Sequence, residues 1–257
     1  AQAVSILYGP GKVGKSLLTL QLALAVATGT PWLGHEVLRP GKAIYLGAED
    51  SPASMHKRLA MVLDAAGLTF GDVPDLLFKS LLGEDTVLAR PGPKGGGEVD
   101  FTSVFQRVER TVERERPALL VLDTLNRLTT IDINAAVAAA RFVQRLGELA
   151  YNSDCAVYML AHPSLTAMRL GEMSGGSPAL FNTARAKHVL RRPTKEEDAT
   201  GVPGLRVFWA EHVNDAPESE RKFVRQIDGA FYEADEQQLA TNRTRDLEAS
   251  FCRFLAD

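Results

Sequence analysis

Cysteine is scarce in this sequence, and long hydrophobic runs are missing. The 257 residues include two cysteines, Cys155 and Cys252, which are too few for a disulfide framework and lack the spacing of a metal site. We therefore expect a cytoplasmic protein in which both cysteines are small buried side chains. No segment approaches the roughly 18 consecutive apolar residues of a membrane span, so we expect no membrane partner.

An excess of positive charge is also lacking. The chain carries 29 Lys and Arg against 32 Asp and Glu, for a net charge of −3. A nucleic-acid partner would therefore have to be bound by local basic loops. Hydrophobic residues make up 45% of the chain, enough to bury one sizeable α/β core. We predict one domain over residues 1–233 and a polar, helix-prone tail or linker over residues 234–257.

A complete phosphate-loop motif, Gly-x4-Gly-Lys-Ser/Thr, is present near the start of the sequence. A strand-like apolar segment precedes it and an apolar helix pattern follows, which is the order that the motif needs. Its glycines let backbone N–H groups close around phosphate oxygens. Lys15 is expected to reach the β- and γ-phosphates of ATP, and the Ser16 hydroxyl to bind Mg²⁺. The predicted nucleotide-binding residues are Gly9, Pro10, Gly11, Lys12, Val13, Gly14, Lys15, Ser16 and Leu17.

Three later apolar segments are predicted to be strands that end in polar residues. These residues are Glu49 with Asp50, then Asp123, then His162. Nearly continuous apolar strands that alternate with helices indicate a parallel sheet covered on both faces. Because such sheets bind ligands at the carboxyl ends of their strands, these side chains are expected near the phosphates. Asp123 is expected to hold Mg²⁺ together with Ser16.

Two other segments give weaker signals. The connection over residues 83–100 is rich in Pro and Gly and is predicted to be a mobile loop. It is either a solvated insertion, or a lid or nucleic-acid contact that uses Arg90 and Lys94. Short strand-like segments over residues 205–233 predict an antiparallel extension of the sheet.

The order and spacing of the phosphate loop, Glu49, Asp123, His162 and Arg185 resemble those of RecA-type ATPases. The likeness covers about residues 1–233 and is greatest to the plasmid RepA branch of DnaB-related hexameric replicative helicases. It implies a RecA-like P-loop NTPase core, a mostly parallel sheet flanked by helices, with a C-terminal antiparallel extension. It also implies ATP and Mg²⁺ as ligands, a homo-oligomer such as a hexameric ring, single-stranded DNA as a partner, and replication partners that dock on the C-terminal tail.

The resemblance also implies roles for individual residues. Glu49 looks like the carboxylate that orients the attacking water, with Asp50 as its competitor for that role. His162 is similar in position to a polar sensor of the γ-phosphate, although a structural histidine is the alternative. Arg185 resembles an arginine that completes the site of the neighbouring subunit, and a surface arginine beside a strand is its alternative.

In RecA-like rings, the loops after the metal-binding strand and the sensor strand contact single-stranded DNA. Here they would be residues 126–133 and 164–177, with Arg127 and Arg169 as the only obvious cations and no aromatic platform for stacking bases. The sequence departs from the RepA pattern at residues 211–214, which lack the expected lysine. Two alternatives to a helicase therefore stay open: a nucleotide-gated assembly or accessory DNA-binding module, and a filament-forming recombinase.

Overall fold

The computed structural model describes residues 2–162, 178–198, 201–213 and 219–234. Arg169, Asn214 and the tail from residue 235 onward lie outside these ranges. The strands are Val4–Tyr8 (β1), Ala43–Gly47 (β2), Leu76–Ser80 (β3), Ala89–Pro91 (β4), Val99–Phe101 (β5), Leu119–Asp123 (β6), Ala156–Ala161 (β7), Ala186–Arg191 (β8), Leu205–Val213 (β9), Lys222–Ile227 (β10) and Ala230–Glu233 (β11). The helices are Lys15–Thr28 (α1), Pro52–Ala65 (α2), Ser103–Glu115 (α3), Leu125–Leu128 (α4), Ala136–Asn152 (α5) and Pro178–Thr183 (α6), with a 3-10 turn at Phe70–Asp72.

The large sheet has the strand order β11-β10-β9-β8-β1-β7-β6-β2-β3. The strands from β8 to β3 are parallel to one another, whereas β9, β10 and β11 continue the sheet in antiparallel fashion. The parallel strands are apolar nearly throughout because both of their faces are covered. The predicted fold class, a mostly parallel sheet with helices and an antiparallel C-terminal extension, is confirmed.

Helices pack on both faces of the sheet and divide its side chains between two clusters. In β1, Ile6 packs in the cluster that contains Phe105 of α3 and Phe142 of α5, whereas Leu7 packs with Leu18 of α1. Each large apolar side chain that is fully buried contributes about 1.5–3 kcal/mol. This three-layer arrangement fixes the carboxyl ends of the parallel strands, where the polar residues gather.

The connection over residues 83–100 is more regular than its Pro and Gly content predicts. Strands β4 and β5 form a hairpin in which Ala89 lies opposite Phe101. Pro91 is tolerated there because a two-stranded sheet leaves one edge of each strand unpaired. The Ala89 carbonyl accepts hydrogen bonds from the Thr129 hydroxyl and the Thr130 N–H, which tie the hairpin to the segment after α4. The segment predicted to be a mobile loop thus contains two short strands, β4 and β5.

Two expectations from the sequence concern its cysteines and its lack of long apolar segments. Cys155 is fully buried, and desolvation raises the pKa of its thiol to about 12. It is thus the inert, small side chain that its sequence context predicts. Within the same ranges, no helix combines the length and the apolar character that a bilayer crossing demands.

Candidate functional site

The phosphate-loop segment connects β1 to α1 at the carboxyl end of the parallel sheet. Gly14 is the N-cap of α1, and the first turn of this 14-residue helix contains no acidic residue. The first N–H groups of a helix have no partner within the helix, and the helix dipole makes this end positive. The loop and the helix together therefore suit the binding of phosphate groups.

Two glycines of the loop are needed because other atoms lie where a side chain would begin. A Cβ at Gly9 would lie 2.1 Å from the carbonyl oxygen of Leu190, and one at Gly14 would lie 2.6 Å from the Phe231 ring. Gly14 also has a φ of 106°, which L-residues rarely adopt. Gly11, in contrast, has no atom within 4 Å of its Cβ position. The loop is therefore packed closely against β8 and β11.

Lys15 is buried, and its ammonium group has three partners. Nζ donates to the carbonyl oxygens of Gly9 and Pro10 at 2.7 and 2.8 Å, and lies 3.1 Å from Nδ1 of His162. Because an ammonium group only donates, Nδ1 accepts in this contact. Burial lowers the pKa of Lys15 to about 8, against the raising effect of Asp123 and Glu49. The lysine is thus held by its own loop and by His162.

His162 follows directly on β7 and keeps a neutral imidazole. Burial is the largest cause of the fall in its pKa to about 4, and the Lys15 charge adds to it. A neutral ring that accepts a hydrogen bond from Lys15 would lose that bond if the ammonium group moved to a phosphate. His162 is therefore in contact with the phosphate loop through Lys15.

Asp123 at the end of β6 is almost fully buried and accepts two side-chain hydrogen bonds. One comes from Ser16 of the phosphate loop, and the other from the Tyr45 hydroxyl at 2.5 Å. Burial is the largest influence on Asp123 and raises its pKa in spite of these bonds. The oxygen atoms of Ser16 and Asp123 are the ligand type that Mg²⁺ prefers. The described residues contain no cluster of three metal-binding side chains, so water and phosphates would complete the coordination.

The two acids after β2 have different surroundings. Asp50 forms an ion pair of 2.6 Å with Arg58 of α2, and Ser51 is the N-cap of that helix. Glu49 is exposed to the cavity, and its pKa is raised, first by partial desolvation and then by the charge of Asp123. Of the two carboxylates, Asp50 is thus bound to α2, whereas Glu49 is exposed and lines the same cavity as the phosphate loop.

These side chains line one open cavity of about 510 Å³. Its lining includes the phosphate-loop residues from Lys12 to Leu17, except Val13, together with Asp123 and His162. Glu49, residues of α2 and Gln226 of β10 also line it. The structure thus brings together a buried cation, three carboxylates, an imidazole and a helix N-terminus.

Neither Arg127 nor Arg185 lines this cavity. Arg127 lies in α4, directly after Asp123, and its charge lowers the pKa of Glu49. Arg185 precedes β8, and its N–H donates to the Val4 carbonyl at the amino ends of the strands, opposite the phosphate loop. Arg169 lies outside the described residues. At the position of the missing lysine, Glu211 forms an ion pair with buried Lys187.

Besides the residues of α2 that line the cavity, four residues near it are absent from the sequence predictions. Tyr45 holds Asp123, and Gln226 lines the cavity. Phe231 supports Gly14, and Arg206 of β9 contacts the phosphate loop. A tyrosine inside an otherwise aliphatic strand is a weak signal for Tyr45. The other three lie roughly 200 residues away from the loop, and no local pattern marks them.

Comparison with known proteins identifies the family. Residues 1–168 match a family model described as an AAA domain. The crystal structure of the RadB recombinase has a similar fold, with a TM-score of 0.60, 20% sequence identity, and 91% of each chain covered. At that identity, the likeness shows the fold alone. Because the family match spans more than half of the sequence, and the phosphate loop stands on a RecA-like sheet, the chain belongs to the AAA domain family and is a RecA-type P-loop ATPase.

Proposed function

We propose that this protein hydrolyses ATP with Mg²⁺ at the interfaces of a homo-oligomer and couples hydrolysis to movement on single-stranded DNA. The observation that supports the chemical part is the convergence of Lys15, Ser16, Glu49, Asp123 and His162 on one cavity. Phosphoryl transfer needs mostly positioning and charge stabilisation, and these residue types supply both.

Each of these residues has a role in the proposed reaction. Lys15 leaves the carbonyls of Gly9 and Pro10 and binds the phosphates, while Ser16 and Asp123 hold the metal. When bound, Mg²⁺ neutralises part of the phosphate charge. Glu49 orients the attacking water, and its raised pKa suits a carboxylate that accepts a proton.

The proposed chemistry is tested by replacing the lysine. Lys15→Ala is expected to lose ATP turnover and most nucleotide binding, because the cation is the buried charge of the loop. Lys79→Ala is the matched control: Lys79 is exposed, pairs with Glu84 and does not line the cavity. Wild-type turnover in Lys15→Ala would refute the proposal.

The proposed role of Arg185 requires a second subunit. Arg185 lies at the amino ends of the parallel strands, whereas its own phosphate loop lies at their carboxyl ends. We therefore propose that it contacts the nucleotide bound by a neighbouring subunit. Lys15→Ala and Arg185→Ala subunits are each expected to be inactive alone. A mixture is expected to regain turnover, because some interfaces then pair an intact loop with an intact arginine. Full turnover by Arg185→Ala alone would contradict this role.

The residue proposed to contact DNA is Arg127. Its charge lowers the pKa of Glu49, so a DNA strand bound at Arg127 would also affect the catalytic carboxylate. Several copies around one strand would add their contacts. A ring-shaped helicase of the RepA type is expected to show strand displacement and closed particles in electron micrographs. Exchange of strands by open filaments would instead indicate a recombinase, which the fold shared with the RadB recombinase supports. Nucleotide-dependent assembly without any effect of DNA would indicate an assembly module.

A further inference from the structure

The antiparallel extension contacts the back of the phosphate loop through one arginine. Arg206 lies on β9, and its Nε donates a hydrogen bond of 2.9 Å to the carbonyl oxygen of Val13. Its Nη1 donates to the Leu205 carbonyl at 2.7 Å, which fixes the guanidinium group on its own strand. The guanidinium group is partly buried, and this burial, followed by the charge of Arg192, lowers its pKa.

The geometry of a peptide unit gives this contact a consequence for phosphate binding. In a trans peptide, the carbonyl of one residue and the N–H of the next point in opposite directions. Holding the Val13 carbonyl on the outer side of the loop therefore turns the Gly14 N–H toward the cavity. Gly14 lines the cavity, whereas neither Val13 nor Arg206 does. Arg206 can thus influence bound phosphate only through the loop.

Neighbouring contacts make the extension a firm support for the loop. The Phe231 ring lies under Gly14, on the side from which a Cβ would clash. The side-chain amide of Gln21 donates to the Phe231 carbonyl at 2.8 Å and accepts from the Phe231 N–H at 2.9 Å. These two hydrogen bonds hold β11 against helix α1, the helix that begins at the end of the phosphate loop. Arg206 therefore joins the phosphate loop to an extension that is already bonded to helix α1.

We propose that Arg206 is a positioning residue for nucleotide binding, which keeps the Gly14 N–H directed at the phosphates through its hydrogen bond to the Val13 carbonyl. The inference rests on the proposed ATPase function and assigns part of the binding of phosphates to the antiparallel extension. The contribution is the same for ATP and ADP, because the loop binds phosphates common to both. It therefore changes ground-state binding and leaves the chemical step unchanged.

The test compares nucleotide affinity in two matched variants. Arg206→Met keeps the aliphatic stem and removes the donor. We expect about tenfold weaker binding of both ATP and ADP, with kcat changed by less than about twofold. Arg225→Met is the control: Arg225 lies on the adjacent strand β10, donates to the Pro203 carbonyl and does not line the cavity. It is expected to bind nucleotide like the wild type.

Arg206→Lys separates positioning from a purely structural role. Lysine can donate to the Val13 carbonyl, but its single ammonium group does not reproduce the planar fork that contacts both carbonyls, so partial recovery of affinity is expected. If Arg206→Met does not fold, Arg206→Leu carries the same prediction, because leucine also lacks a donor.

Two results would overturn the inference. Unchanged affinity in folded Arg206→Met or Arg206→Leu is one, and equal weakening in Arg225→Met is the other. Either result would leave the proposed ATPase function standing, provided that the wild type hydrolyses ATP and Lys15→Ala does not. Absence of nucleotide binding by the wild type would instead contradict the proposed function itself.

Discussion

The buried lysine of the phosphate loop predicts an unusual pH dependence of nucleotide binding. The pKa of Lys15 is lowered to about 8, so at pH 9 only about one molecule in eleven keeps the ammonium form in the nucleotide-free protein. Bound phosphates favour the charged form and raise this pKa again. Binding at pH 9 therefore takes up close to one proton, and the affinity falls about tenfold between pH 7 and pH 9, or ~1.4 kcal/mol.

Isothermal titration of ADP at pH 7, 8 and 9 measures both quantities. Two buffers with different ionisation enthalpies give the number of protons taken up at each pH. His162, Tyr8 and Cys155 do not titrate in this interval, because the pKa of His162 is lowered to about 4 and those of Tyr8 and Cys155 are raised to about 12. Lys79→Ala is expected to show the same pH dependence as the wild type.

A lysine with the ordinary pKa of about 10.4 would give a different result. The affinity would then stay constant from pH 7 to pH 9, and no proton uptake would be measured. That outcome would refute the description of Lys15 as a desolvated group held by the Gly9 and Pro10 carbonyls. It would not affect the identification of the loop as a nucleotide site.

Three further predictions follow from single contacts. Glu49→Gln is expected to abolish turnover, retain ATP binding and leave thermal stability equal or higher, because the change removes repulsion with Asp123. Tyr45→Phe is expected to lower the free energy of unfolding by about 1–2 kcal/mol in a urea titration, because buried Asp123 loses a donor. Gly14→Ala is expected to cost at least about 1–3 kcal/mol in the same assay, whereas Gly11→Ala, which has open space, is expected to be neutral. Equal stability of the two alanine variants would contradict the packing described for the loop.

Local patterns were sufficient to predict the phosphate loop and the strand ends. The loop motif is contiguous, and the apolar strands that end at Glu49, Asp123 and His162 all belong to one parallel sheet. In a sheet of this kind, the carboxyl ends of neighbouring strands meet at one edge. Their convergence on a single cavity therefore follows from the order of strands and helices.

The support behind the loop was not predictable in the same way. Val13 and Arg206 are separated by 193 residues, and their contact depends on the register of β9 against β8. That register includes a shift between Lys187 and His188, which no sequence pattern marks. Similarly, Tyr45 reaches Asp123 only because β2 and β6 are neighbours in the sheet. Contacts of this type are set by tertiary packing.

The hairpin of β4 and β5 shows a different limit of sequence reasoning. Pro and Gly correctly indicate turns, yet they do not exclude short strands on either side of a turn. The hairpin exists because Ala89 pairs with Phe101 and also bonds to the segment at Thr129. Two non-local interactions thus decide the structure of a segment whose composition alone favours irregular backbone.

The most direct test of the proposed function is ATP turnover per subunit, measured over a range of protein concentrations with and without single-stranded DNA. A shared active site predicts turnover that rises with concentration as subunits assemble, increases further with DNA, and is absent in Lys15→Ala. Turnover that is independent of both concentration and DNA would contradict hydrolysis between subunits on a DNA strand. Turnover that persists in Lys15→Ala would contradict the phosphate loop as its site.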